Sequence, residues 1–192
     1  MDIKIGVGVP NYGTIWIKTA VSLMEMMRLP YEFFPIFQYG AYISQNRELI
    51  VNRAIEQKCS HILFVDHDIQ FYPVTVKFLV EHDKDIVAGL YNYRSMPIRP
   101  MVKVYDKGKI IDGKKEDIPY DMFKVAGIGM GCCLIKTSVF EKLEKPYFPM
   151  FDKKGGVVTS EDIGFCEKAI AAGFEIWCDP SLDVKHLGDY EY

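Results

Sequence analysis

Short apolar runs alternate with helical patterns along the first half of the chain, and this alternation limits the possible fold more than any other feature. Residues 3–9 form a β-rich run closed by the turn signal Pro10-Asn11-Tyr12-Gly13. A helical segment follows from about Thr14 to Arg28 and is stopped by Pro30. Residues 31–38 are a second apolar strand. Ser44 is placed to cap a helix reaching Lys58, in which Ile43, Arg47, Ile50 and Ala54 share a face. Residues 62–65 are apolar on both faces, as a buried parallel strand requires. Pro73 then opens a helix to about His82, and residues 85–88 form the next strand. Strands separated by helices predict an α/β fold with a mostly parallel central sheet flanked by helices.

The second half has a different rhythm. Residues 101–105 and 109–111 flank Asp106-Lys107-Gly108 and predict a small β-hairpin insertion. Residues 123–125 and 132–135 read as strands joined by the glycine-rich stretch 127–131. Ser138 and Glu141 have capping-box spacing. Residues 152–156 carry a loop signal, and the segment 152–159 would be a mobile lid hinged at Gly155-Gly156. Ser160 caps a helix to Ala172, with Gly173 at its C-terminal end, and residues 174–178 are a late strand. With no repeat or linker, the 192 residues predict a single domain.

Composition narrows the classes. A net charge of −3 gives no field that would favour nucleic acid. No apolar stretch approaches the roughly 20 residues needed to span a bilayer. No basic segment followed by an apolar one marks the N-terminus as a secretion signal. The five cysteines are odd in number and lack CxxC spacing. They predict buried reduced thiols in a cytoplasmic protein and not a zinc site.

Three landmarks carry the chemistry. Asp66-His67-Asp68 follows the buried strand 62–65. Ligands of open α/β sheets bind beyond the carboxyl ends of strands. Residues i and i+2 of an extended chain point the same way, so two carboxylates there can hold a divalent ion that bridges a diphosphate. The plain alternative is a strand ending in a turn cap. His67 would point away and serve structure. Glu161 and Asp162 open a helix, where the dipole favours their charge by about 0.3–1 kcal/mol each. That alone explains them; the functional alternative is a general base, whose pKa at a helix start should not be high. His186, in a late loop, is either a surface residue or a third metal ligand through neutral imidazole. Arg47 is either a snorkelling surface arginine or a contact to base or phosphate.

Taken in order, these segments resemble the A-type fold (GT-A), family 2-like, nucleotide-sugar-dependent glycosyltransferases. Phe64-Val65-Asp66-His67-Asp68 looks like their DxD element. The stretch 85–91 followed by Arg94 resembles the next strand and loop, and Gly127-x-Gly129-x-Gly131 with residues 132–136 resembles the glycine-rich strand. Residues 160–169, Gly173, Trp177, Asp179-Pro180 and His186-Leu187-Gly188 are similar to the acidic helix and terminal metal histidine. The resemblance implies a Rossmann-like domain over residues 1–192, with a nucleotide-binding half (1–90) and an acceptor and metal half (91–192). It implies transfer of a sugar from a nucleotide diphosphate to a hydroxyl acceptor. Asp66 would contact the donor's ribose or sugar and stand by the metal, and Asp68 and His186 would bind it. A histidine ligand suits Mn2+ better than Mg2+. Asp162 would be the base of an inverting reaction, with Glu161 as runner-up. Pro10, Asn11 and Tyr12 would line the nucleotide, and His67 and Gly129 would stand beside it.

The chain departs from the pattern in lacking an acidic residue after strand 31–38, where many members hold uracil. The acceptor site would come from residues 111–124, from residues 148–159, or from another subunit of a homo-oligomer. A sugar nucleotidyltransferase is the competing enzyme, but the loop 10–14 lacks the arginine it needs. A non-catalytic, sugar-binding or scaffolding module is the other alternative.

Overall fold

The computed structural model describes residues 3–150, 152–153 and 157–188. The alternating half folds in the order its pattern predicts: β1 (Lys4–Asn11), α1 (Ile17–Met26), β2 (Glu32–Tyr39), α2 (Ile43–Glu56), β3 (His61–Val65), a two-residue β4 (Ile69–Gln70), α3 (Pro73–Glu81) and β5 (Ile86–Gly89). The hairpin follows as β6 (Val102–Asp106) and β7 (Lys109–Asp112), turning through Lys107 and Gly108, both at positive φ. A 3-10 turn (Lys115–Asp117) leads to β8 (Phe123–Val125), β9 (Gly127–Ile128), β10 (Cys132–Lys136) and α4 (Thr137–Glu141). The remainder comprises β11 (Asp152–Lys153), β12 (Val157–Val158), α5 (Glu161–Ala171), β13 (Ile176–Asp179) and β14 (Lys185–His186). β11 and β12 pair with each other where a loop was expected, and the hinge pair Gly155-Gly156 lies outside the described residues.

The central sheet has seven strands in the order β2-β1-β3-β10-β5-β13-β8. Five run in one direction; β10 and β8 run against them. β2 tolerates Pro35, which donates no hydrogen bond, because it is an edge strand. β3 shows the layering. Ile62 and Phe64 join a core with Ile50 and Ala54 of α2, Phe140 of α4 and Phe165 of α5. Leu63 and Val65 join a second core with Leu23 and Met26 of α1 and Val76 and Leu79 of α3. Each fully buried large side chain contributes about 1.5–3 kcal/mol. Among the described residues the mixed α/β architecture is therefore a large, mostly parallel sheet with helices on both faces. Among the described residues no helix is long and apolar enough to cross a membrane. The five cysteines are buried and free, with Cys132 and Cys133 in the central strand β10.

Three helix starts differ from expectation. Ser44 lies inside α2, which begins after Tyr42, and Ser138 lies inside α4, which begins after Lys136; neither helix has a side-chain cap bond. α1 starts at Ile17, where the Trp16 N–H donates to the His67 carbonyl at 2.9 Å. Packing and long-range hydrogen bonds set these ends where a cap signal alone would misplace them.

Candidate functional site

β10 inserts antiparallel between β3 and β5, so the carboxyl ends of those two strands lie on one edge of the sheet with the start of β10 between them. Ligands of open α/β sheets bind beyond such strand ends. Asp66 and Asp68 sit there, but in a turn and not in an extended segment: the Ile69 N–H donates to the Asp66 carbonyl at 3.1 Å. The expected i, i+2 geometry is thus corrected, because β3 ends at Val65. The turn hands the two carboxylates to different partners.

Asp66 Oδ1 accepts from Arg47 Nη2 at 2.9 Å. Arg47 is 2% exposed, and its Nε donates to Glu161 Oε1 at 3.2 Å. The residue expected either at the surface or on a ligand is a buried tie between β3 and α5. Burial would lower its pKa, but Asp66, Glu161 and Asp162 outweigh that and hold it firmly protonated. Its Nη1 has no partner among the described residues. A buried guanidinium nitrogen left unpaired is costly, which makes it a ready donor to an incoming anion.

Asp68 is 3% exposed. Its Oδ2 lies 3.0 Å from Arg94 Nη1 and 3.4 Å from His186 Nε2. Burial would raise its pKa, but His186, with His67 and Arg94, holds the carboxyl below the usual range. His186 is carried by β14, which pairs with β4 just after the Asp turn, and the Leu187 N–H donates to the Asp68 carbonyl at 2.7 Å. His186 Nδ1 is 3.0 Å from the Asn92 carbonyl. A carbonyl only accepts, so Nδ1 carries a proton and Nε2 is the ring atom turned toward Asp68. That orientation by a backbone carbonyl is how metal-binding histidines are commonly held. One oxygen and one nitrogen donor fit a divalent ion that takes its other ligands from phosphate and water. Among the described residues no group of three His, Cys, Asp or Glu side chains gathers to hold a metal.

Asp162 and Glu161 begin α5 after Ser160. Ser160 occupies the N-cap position, but its hydroxyl donates to Asp162 Oδ1 and makes no cap bond. The Ile163 N–H also donates to Oδ1, at 2.7 Å. The expectation of an unraised pKa is corrected here. Burial first, and the Glu161 charge second, push the Asp162 carboxyl up to about 6. At 7% exposure, desolvation outweighs the helix dipole.

Ile43, Arg47, Asp66, Tyr91, Tyr93, Met101, Glu161, Asp162 and His186 line one cavity of 160 Å³. Asp68 borders it through His186. The remaining predicted residues are placed differently. Pro10 is buried at the end of β1. Asn11 spends its amide on the Val9 and Gln38 carbonyls and accepts from the Gly13 N–H. Tyr12 is exposed, with its ring edge-on to His67 at 6.1 Å. His67 therefore faces Tyr12 and lies 3.9 Å from Asp68. These residues stand outside the cavity lining. Gly129 stands behind it: a Cβ there would fall 2.1 Å from the Tyr91 hydroxyl, so a side chain would displace a wall.

Tyr91, Tyr93 and Met101 were not foreseen. Tyr91 is 5% exposed, accepts from the Gly131 N–H at 3.0 Å, and sets its ring edge-on to His186 at 5.4 Å. The signal was present as alternating tyrosines directly after a predicted strand end.

No protein-family model and no curated protein matches the chain. Among solved structures, the crystal structure of A197 from STIV is similar over 97% of this chain and 86% of that one, with a TM-score of 0.68 and 18% identity. The two chains thus share their fold, the mixed α/β architecture with a large, mostly parallel central sheet flanked by helices.

Proposed function

We propose that the chain is a glycosyltransferase of the A-type fold, transferring a sugar from a nucleotide diphosphate to a hydroxyl acceptor with inversion. The observation that carries this reading is the shared cavity. A buried carboxyl tuned to about 6 (Asp162) lines the same 160 Å³ space as Arg47, Asp66 and His186. Functional acids and bases are tuned in this way by burial and like charge. Residues 1–90 supply Arg47, Asp66 and Asp68, and residues 91–192 supply the base and His186, so both proposed halves of the domain meet at the site.

Asp68 and His186 would hold Mn2+, or less favourably Mg2+, beside the diphosphate. The ion supplies charge neutralisation for the departing diphosphate. Asp162 Oδ1 is engaged by Ser160 and Ile163, which leaves Oδ2 to take the proton of the acceptor hydroxyl. Glu161 is bound to Arg47 and is the weaker candidate for base. Arg47 holds Asp66 toward the donor and offers its unpaired Nη1 to a ligand oxygen.

Calorimetric titration with nucleoside diphosphates, with and without Mn2+, tests the reading. Binding should require the ion, and Asp68→Asn should abolish this ion-dependent binding while leaving the fold intact. Equal affinity with and without Mn2+, unchanged in the variant, would sink it.

A further inference from the structure

Two cationic or metal-directed groups converge on a single oxygen. Arg94 Nη1 lies 3.0 Å and His186 Nε2 3.4 Å from the same Asp68 Oδ2. The two ends of the Arg94 pair differ in their access to water. The Asp68 side chain is 4% exposed, whereas that of Arg94 is 45% exposed. Asp68 is fixed in place by the Asp66–Ile69 turn and by the Leu187 N–H on its own carbonyl. Arg94 stands in a tight turn of a ribbon, where the Ser95 N–H donates to the Tyr93 carbonyl and the Tyr93 N–H to the Arg99 carbonyl, each at 2.9 Å. Its guanidinium can leave for water; the carboxylate cannot.

We infer that Arg94 is a removable counter-charge that occupies the Asp68 ligand oxygen in the empty protein and moves to the diphosphate when the donor arrives. This inference rests on the proposed metal and diphosphate site and adds a binding order to it. A divalent ion shared by Asp68 and His186 Nε2 would meet Asp68 at Oδ2, the oxygen in contact with that nitrogen and the one that Arg94 holds. Guanidinium and ion repel across that oxygen, so each disfavours the other. A diphosphate removes the conflict, because its oxygens match the planar, two-pronged donor face of arginine. The ion therefore binds weakly alone and tightly together with a diphosphate. Between turnovers Arg94 adds its charge to the compensation that His186 and His67 give this buried carboxylate.

The probe is Mn2+ alone and Mn2+ with inorganic pyrophosphate, read by the electron paramagnetic resonance of free Mn2+. The full chain is compared with Arg94→Ala, Arg94→Lys and Asp68→Asn. Arg94→Ala should bind Mn2+ alone about tenfold more tightly, the worth of one charge-assisted hydrogen bond, and should lose most of the enhancement by pyrophosphate. A purely structural arginine would weaken both. Arg94→Lys keeps the charge and should restore the weak binding of Mn2+ alone. Unchanged Mn2+ and pyrophosphate affinities in Arg94→Ala, with binding abolished in Asp68→Asn, would overturn the role of Arg94 and leave the metal site standing. Failure of every form to bind Mn2+, with or without pyrophosphate, would overturn both. Thermal melting confirms folding of each variant. If Arg94→Ala does not fold, Arg94→Gln carries the same expectations.

Discussion

Asp162 keeps its position at a cost in stability. Its carboxyl titrates at about 6 in the folded chain against an ordinary 3.8, so the unfolded chain loses this proton at lower pH. Stability therefore falls as pH rises from about 4 to about 6 and stays lowered above. Two pKa units correspond to roughly 3 kcal/mol at most. Asp162→Asn keeps an Oδ1 acceptor and should raise stability at pH 8 by about 1–3 kcal/mol, with no difference near pH 4. Urea denaturation at the two pH values checks this. The same variant should lose transfer by about 10²–10⁴-fold while retaining donor binding, and wild-type transfer should fall as pH drops below about 6. Arg47 behaves in the opposite way. Arg47→Met leaves the buried Glu161 and the half-buried Asp66 without their cation and should cost up to about 3–5 kcal/mol. A loss under about 1 kcal/mol would mean that water replaces the guanidinium.

At the scale of elements, α5 delivers both acids, and its position depends on a bare backbone. A Cβ on Gly164 would fall 1.9 Å from the Pro149 carbonyl, so the first turn of α5 lies directly on the segment that carries Phe148. Phe148 in turn stacks on Phe165 at 5.1 Å between ring centres. Gly164→Ala must push α5 off this support and should cost about 1–3 kcal/mol. Stability and transfer should fall together, unlike the gain and loss expected for Asp162→Asn, and parallel melting and activity measurements separate the two. Element types were legible because each buries one face at its own period. Helix starts at Ser44 and Ser138 were misread because a serine signals a cap only when no stronger packing contact decides the first turn.

For the whole molecule, the site joins segments far apart in sequence, so a ligand bound there ties the fold together. Arg47 of α2, Asp66 after β3, Tyr91 after β5, Asp162 of α5 and His186 of β14 all line one cavity. Mn2+ with a nucleoside diphosphate at about a hundred times its dissociation constant should add ~2.7 kcal/mol. For a chain of this size that is a rise of roughly 5–10 °C in Tm. Mn2+ alone should give little of it, and a differential scanning run with each component separately decides the point.

By itself the sequence determined the longer strands and helices and the α/β class, because burial of one face leaves a period in the residues; the two-residue strands β4, β9, β11, β12 and β14 are too short to show one. It also marked Asp66, Asp68, Asp162 and His186, since charged or ligating side chains beside predicted strand and helix ends are visible without coordinates. Only the tertiary structure decided that β10 and β8 run against their neighbours, since a short apolar strand carries no sign of its direction. It alone joined Arg47 to Asp66 and Glu161, 19 and 114 residues away. It brought Arg94 to Asp68 and removed Pro10, Asn11 and Tyr12 from the cavity lining. The raised pKa of Asp162 belongs to the same group: the helix dipole is local and readable, while desolvation depends on every residue packed around the carboxyl.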